Sequence, residues 1–591
     1  MNIKPILYSV EPFDLAGHRF RVTMTIPDPA AAGQTICLPA WIPGSYLIRD
    51  FARHIETIQA RAGARQISVT KTDNHSWRCG ASDSAITITY TVYAWDLSVR
   101  GAHLDESHGF FNGTSVFLYA QGQEHKPCEV TLIAPKKPAR WSVFTSLPEA
   151  TKGRLAAKLH GFGKYRANNY DALIDHPIEM GTPQTIKFTA CGAQHELVFT
   201  GHIPNLDLKR ISQDVKRICE SQIRFFEPEQ VKAPFLDSAT RYVFMTMVTG
   251  DGYGGLEHRA STALMASRKD LPIIGQERAP EGYKNYLGLV SHEYFHTWNV
   301  KRIKPAAFAP YDLSRENHTS LLWIFEGFTS YYDDLILLRS GVIDRHAYFE
   351  LLAKQISGVW STPGRLKQSV ADSSFDAWTR YYKQDENSPN ALISYYTKGS
   401  LIALGLDLTI RQQTHDQFSL DDVMRGLWES YGRDFYTGQA QGLKEQGFIK
   451  LVRQITGVDV STEIAQWAYG TADVPLTQLL HAQNIELSWK ASDARASIDA
   501  RIRKQGDHAV LSTVLENGAA HQAGLSAMDT LVAIDGLRID SNANALDSIL
   551  NRYAPGDVVT VHVFRRDELR SFDVRLTAPA ITNCVLKDLN K

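Results

Sequence analysis

His292-Glu293-Tyr294-Phe295-His296 lies inside a longer run, YKNYLGLVSHEYFHTWNVKR at Tyr283–Arg302, whose reading decides what kind of domain surrounds it. Leu287, Val290, Tyr294 and Trp298 recur at intervals of three and four, the apolar stripe of a helix. At about 100° per residue, His292 and His296 fall ~40° apart and almost opposite that stripe. Leu289, Phe295 and Val300 make the other sides apolar, so the helix is expected to be buried. Two imidazoles one turn apart in a core need polar partners, and a single metal ion serves both.

A catalytic zinc takes three protein ligands and keeps one position open. Glu293, one residue past the first histidine, reaches the water activated there rather than the ion, the station of a general base. The third ligand is expected in Leu321–Thr329 (LLWIFEGFT), an apolar helix holding one carboxylate, Glu326. A lone buried carboxylate is costly unless it is paired or bound to metal. Asp333 follows seven residues later on the same face and can accept the outer N–H of a ligand histidine. His318 is the competing ligand, but its polar setting, Ser314–Thr319, reads as a loop or cap. A metzincin needs Gly at 299 and His at 302; Asn299 and Arg302 exclude that class.

Outward from this site the chain changes texture twice. Residues 1–183 alternate in the strand manner, as in His18–Ile26, Ala85–Trp95 and Ser115–Tyr119, and predict an all-β, sandwich-like domain. Residues 184–484 begin with a few strands and become mostly helical (Asp207–Phe226, Tyr283–Arg302, Thr319–Ser340, Lys398–Thr414), an α+β domain. Residues 485–580 return to short strands with one helix near Asn544–Tyr553. At ~100–200 residues per domain, such a multidomain reading suits a chain of 591 residues.

Composition narrows the function classes. Lys+Arg 63 against Asp+Glu 64 gives a net charge of -1, so no general basic field serves nucleic acid or an anionic membrane. No phosphate-binding loop, dinucleotide fingerprint or nucleic-acid module is present. The six cysteines form no CxxC, which predicts free thiols in a reducing compartment. Met1–Gly17 carries Lys4, Glu11 and Asp14 without a secretory apolar core, and no apolar run reaches the ~18 residues of a membrane span. The expectation is a cytoplasmic protein.

HEYFH followed by WIFEGFTSYY resembles the gluzincin peptidases of the aminopeptidase N type. Gly254-Gly255-Leu256-Glu257-His258 is similar to their exopeptidase strand, and Tyr396-Thr397-Lys398-Gly399 to their Tyr-x-Lys-Gly element. The longer gap from His296 to Glu326, together with Pro43-Gly44-Ser45-Tyr46-Leu47-Ile48-Arg49-Asp50-Phe51, is closer to the glycyl aminopeptidase family. That family combines a β-rich N-terminal domain, a thermolysin-like catalytic domain and a PDZ domain. The resemblance implies one Zn2+ per chain on His292, His296 and Glu326, Glu293 as base, and Tyr396 on the oxyanion. It also implies Glu257 on the substrate ammonium, with Gly254 and Gly255 letting substrate backbone approach, and Gly or Ala as the N-terminal residue removed. Ala519–Leu525 and Asp529–Gly536 resemble a PDZ core, which implies a C-terminal peptide ligand; Met528 stands where that core has Gly, and the carboxylate loop reads Ser497-Ile498-Asp499.

Two other functions stay open on sequence: an endopeptidase using the same metal without Glu257, and a PDZ adaptor whose metal site is not catalytic. Asp105–His108 and Asp175-His176 read as surface loops, and Lys301-Arg302 with Lys304 as a solvated helix end.

Overall fold

Arg19–Ile26 shows why the N-terminal region is a sheet: Phe20, Val22, Met24 and Ile26 are all fully buried, while the residues between them face outward. They lie opposite Val92, Tyr90, Ile88 and Ile86 of the strand Ile86–Tyr93, so each apolar side chain meets another across the ladder. In this computed structural model, which describes residues 3–137, 140–151, 153, 155–438, 440–491, 495–539 and 545–590, these strands belong to a seven-stranded sheet. Two four-stranded sheets complete the N-terminal β domain.

Ser115–Tyr119 does not form the expected strand. Gly113–Ser115 is a 3-10 turn, and Val116, Phe117 and Leu118 are all fully buried rather than alternating. Their carbonyl groups find no strand partner; the hydroxyls of Tyr90, Tyr170 and Tyr8 donate to them at 2.7, 2.6 and 2.8 Å. Three tyrosines thus satisfy a backbone that would otherwise be buried unpaired.

The chain divides into two compact units, one of residues 1–317, 332–343 and 424–444, the other of 318–331, 344–423 and 445–591. The first holds the β domain and a five-stranded sheet in the order Gln184–Ala190, Ala193–Thr200, Arg241–Thr249, Ser261–Ser267, Gly254–Glu257. The last of these is an antiparallel edge strand on an otherwise parallel centre. The helix Leu208–Phe226, capped by Asp207, and the helix Tyr283–Phe295 belong to the same unit.

The second helix stops well before Arg302. Val300 adopts φ 109, a strained value for a β-branched residue, and in a tight turn Val300 N donates to Ile303 O and Ile303 N to Trp298 O. Lys301, Arg302 and Lys304 are accordingly buried, not a solvated helix end. Lys301 pairs with Asp175 at 2.8 Å, Arg302 clamps Asp237 at 2.6 and 2.8 Å, and the Lys304 ammonium lies over the rings of Tyr311 and Phe435 at 4.4 and 4.8 Å. Burial brings Lys304 down to about 7. Asp175-His176 is likewise no surface loop. Burial works to raise the Asp175 carboxyl, yet Lys301, Arg259 and His258 hold it well below the usual range. Sequence patterning reads charge as exposure; here each charge has a partner distant in the chain.

In the second unit, Leu322–Phe325 and the start of Gly327–Arg339 form a nearly continuous helix with Glu326 at the junction, and the helix Thr397–Thr414 crosses it. A Cβ on Gly327 would lie 2.6 Å from the Cα of Gly399, and one on Gly399 2.9 Å from the Cα of Gly327. Both glycines are therefore needed for the helices to touch backbone to backbone, which gives Glu326-Gly327 and Lys398-Gly399 a common physical cause.

The C-terminal strands from Ala500 to Arg575 form a six-stranded sheet around a core of their own, with short helices at Ala519–Ala523 and Ala545–Leu550. The expected start of the latter, Asn544, lies outside the described residues. Ile485–Ala491 pairs instead with Ile581–Asp588. Asn390 ties this C-terminal sheet to the preceding helices by donating to Val514 O at 2.9 Å and accepting from Glu516 N at 3.0 Å. Met528 sits at φ 70, the left-handed region that favours glycine. Met528→Gly is expected to stabilise the C-terminal β domain by about 0.5–1 kcal/mol, the left-handed strain less glycine's entropy; its unfolding midpoint in urea should rise, and a fall would contradict the argument.

Candidate active site

Each site histidine is held by its Nδ1. His292 Nδ1 donates to Asp333 Oδ2 at 3.0 Å, and His296 Nδ1 donates to the carbonyl of Asn299 at 2.8 Å. Both acceptors lack a proton to give, so the tautomers are fixed and both Nε2 atoms carry lone pairs. These two Nε2 atoms face one another at 3.0 Å. Two lone pairs in that position repel unless a cation or proton lies between them, which is the geometry of a metal-binding pair. The strained turn at Val300 is what aims the Asn299 carbonyl at His296.

Glu326 stands at the junction of Leu322–Phe325 and Gly327–Arg339, and Asp333 lies within the latter. The ligand atoms of His292, His296 and Glu326 all lie within 4.8 Å of one another, so the donor set of two imidazoles and a carboxylate fits a zinc-type ion. Burial pushes the Asp333 carboxyl up while His292 pulls it back. His318 lies outside this group: its Nδ1 donates to Phe375 O at 2.9 Å and its ring stacks on Phe375. Asp333→Asn keeps a hydrogen-bond acceptor but removes the charge behind His292. It is expected to weaken metal affinity about 10–100-fold in a competition against a chelator; unchanged affinity would mean that Asp333 does not orient the imidazole.

A second group, Glu257, Glu293 and His296, also has its ligand atoms within 4.8 Å of one another. Both carboxylates are buried, at 4% and 5% exposure. Two such groups side by side call for positive charge among them. Glycines shape the place. A Cβ at Gly255 would meet Glu293 Oε1 at 2.1 Å, so Gly255 makes room for Glu293 rather than for a ligand backbone, as its sequence position had suggested. At Gly254 a Cβ would meet nothing, which leaves open space along the edge strand. Gly255→Ala is expected to displace the Glu293 carboxylate and lower kcat on the order of 10²-fold while metal content stays the same; full activity would refute the packing argument.

Gly44, in the Pro43-Gly44-Ser45 turn, is a site residue that sequence reasoning did not single out. Its φ is 93, and a Cβ there would lie 2.5 Å from Glu257 Oε2. The Pro-Gly-Ser string signals a turn; nothing in it signals what the turn faces. The Asn299 carbonyl is invisible to sequence because it belongs to the backbone.

Tyr396 belongs to a cluster of phenols in the second unit. Its hydroxyl lies 3.3 Å from that of Tyr382, and its ring stacks on Tyr395 and Tyr381. Tyr395 is fully buried, and burial followed by Tyr382 and Glu326 pushes its phenol well above the usual range. Tyr396 keeps partial exposure, so it is the one of the adjacent pair open to a ligand.

With this fold around such a donor set, the class is that of a metallopeptidase. The chain belongs to the M61 glycyl aminopeptidase family: the model of the peptidase M61 N-terminal domain matches residues 7–182, that of the M61 glycyl aminopeptidase 285–402, and that of a PDZ domain 496–576. It is 41% identical to an aminopeptidase N family protein from Idiomarina loihiensis, whose crystal structure matches with a TM-score of 0.92 over 99% of this chain and 98% of that one. An M1 zinc metallopeptidase from Deinococcus radiodurans is 13% identical, with a TM-score of 0.48 over 80% of this chain and 95% of that one. Among curated proteins none matches it. No helix among the described residues is long and apolar enough to cross a membrane.

Proposed function

We propose that this metallo-aminopeptidase uses zinc to remove small N-terminal residues, Gly or Ala, from peptides with a free N-terminus. The observation that carries the reading is the pair of imidazole Nε2 atoms facing each other at 3.0 Å with Glu326 as third donor and two buried carboxylates alongside. Zinc on His292, His296 and Glu326 supplies a Lewis acid that acidifies water and polarises the scissile carbonyl. Glu293 takes a proton from the attacking water and hands it to the leaving amine. Glu257 holds the substrate ammonium, a charge-assisted contact that fixes where the scissile bond falls. The Tyr396 hydroxyl donates to the oxyanion as it develops. The open space at Gly254 takes the substrate backbone.

The choice of small residues rests on the family and on Gly44, whose turn closes directly against Glu257. A C-terminal peptide ligand for the PDZ domain receives less support. Ser497 N donates to Thr577 O and Asp499 N to Ser497 Oγ, so the segment in the position of the carboxylate loop already spends these N–H groups internally.

Zinc-loaded protein should cleave glycyl-p-nitroanilide and leave its N-acetylated form intact. Equal cleavage of both would rule out an exopeptidase and favour the endopeptidase. No cleavage of any peptide, alongside capture of C-terminal peptides, would favour the adaptor.

A further inference from the structure

We propose that His103, Asp105 and His108 form a second divalent-metal site, of the zinc class, in the N-terminal β domain. The three residues flank a tight hairpin: Ala102–Leu104 pairs antiparallel with His108–Phe111, with His103 opposite Phe110. Side chains two apart on a strand share a face, so His103 and His108 project together, and Asp105 closes the turn between them. Their ligand atoms lie within 4.8 Å of one another. The site shares no residue with the one described above.

Three features point to a cation rather than to simple packing. First, His108 repeats the arrangement of His292: its Nδ1 donates to the buried carboxylate of Glu179 at 3.2 Å, which leaves Nε2 as an available lone pair. Second, His103 is 5% exposed and its Nδ1 is sealed from solvent with no hydrogen-bond partner among the described residues. Its ring is fixed between Trp95 and His108, at centroid separations of 4.7 and 4.9 Å. A buried ring nitrogen without a partner is costly. Third, Asp105 Oδ1 already accepts from Ser107 N, Ser107 Oγ and His108 N. That set anchors the turn and leaves Oδ2 for another partner.

His103 and His108 line a common cavity of about 20 Å³, bounded also by Glu179 and Met245, while Asp105 lies outside its lining. Two imidazoles and one carboxylate suit Zn2+ or a similar borderline cation, not Mg2+ or Ca2+. Such an ion would staple the hairpin to the strand carrying Glu179, Ile178–Gly181, which pairs with His108–Phe111.

The test is metal stoichiometry of the full chain, stripped with a chelator and reloaded with Zn2+. Wild type should hold two equivalents with submicromolar affinity, and His103→Phe, which keeps a ring on Trp95, should hold one and still cleave glycyl-p-nitroanilide. Asp105→Asn retains the Oδ1 acceptor of the turn, serves if the first variant fails to fold, and should weaken the second equivalent at least tenfold. Titrating a His292→Ala/His296→Ala protein with Co2+ should still give one equivalent with ligand-field bands, and this result is independent of the catalytic reading. One equivalent in wild type, a second equivalent bound only at millimolar zinc, or unchanged stoichiometry and affinity in the hairpin variants would each overturn the proposal.

Discussion

Glu293→Gln is expected to lower kcat by about 10²–10⁴-fold, the usual contribution of a general base, and to leave metal content unchanged. The substitution keeps size and shape, so the packing against Gly255 survives. On the proposed mechanism, what it removes is the proton acceptor for water and, later, the donor to the leaving amine. The two readouts separate the roles that its position next to His292 leaves in competition. Loss of metal would make Glu293 a ligand. Full activity with metal retained would mean that another group carries the proton, and the nearest carboxylate on structural grounds is Glu257, which shares with Glu293 and His296 the second group of convergent side chains.

Glu257→Gln should produce a comparable loss through a different parameter. Truncating one partner of a buried, hydrogen-bonded charge pair costs ~2–5 kcal/mol, which at 1.4 kcal/mol per decade is about 30- to 4,000-fold in kcat/KM. The loss should fall on substrates with a free amine and spare any residual turnover of N-acetylated ones. That difference distinguishes an anchor for the substrate ammonium from a residue that merely supports the metal site. Were the free-amine and blocked substrates affected alike, Glu257 would be assigned to the metal surroundings, and the exopeptidase reading would lose its physical basis.

The legible part of this protein is the part governed by local periodicity. His292 and His296 share a helical face because four residues are about one turn, and Phe20, Val22, Met24 and Ile26 share a sheet face because alternate residues do. These relations hold whatever the rest of the chain does. The helix expected to carry both Glu326 and Asp333 is instead interrupted at Glu326, between Leu322–Phe325 and Gly327–Arg339. The expectation for Ser115–Tyr119 failed because a run of apolar residues does not state where its backbone hydrogen bonds go; they go to Tyr8, Tyr90 and Tyr170, which no local pattern connects to it.

Charge was the least legible property. Lys301, Arg302 and Lys304 look solvated in the sequence and are buried in the fold, because Asp175, Asp237 and a set of aromatic rings reach them from distant segments. Asp105 and His108 look like an ordinary surface turn until the pairing of two strands places His103 beside them and Glu179 behind. The sequence by itself determined the chemistry on offer: two histidines a turn apart, a base between them, and a carboxylate alone in an apolar helix. Only the tertiary structure decided which atoms face each other, that Asn299 and Asp333 turn both imidazoles the same way, and that Gly44 and Gly255 press against the two carboxylates. The reason is that spacing along a chain fixes the direction of a side chain, whereas its partner is fixed by how remote segments pack.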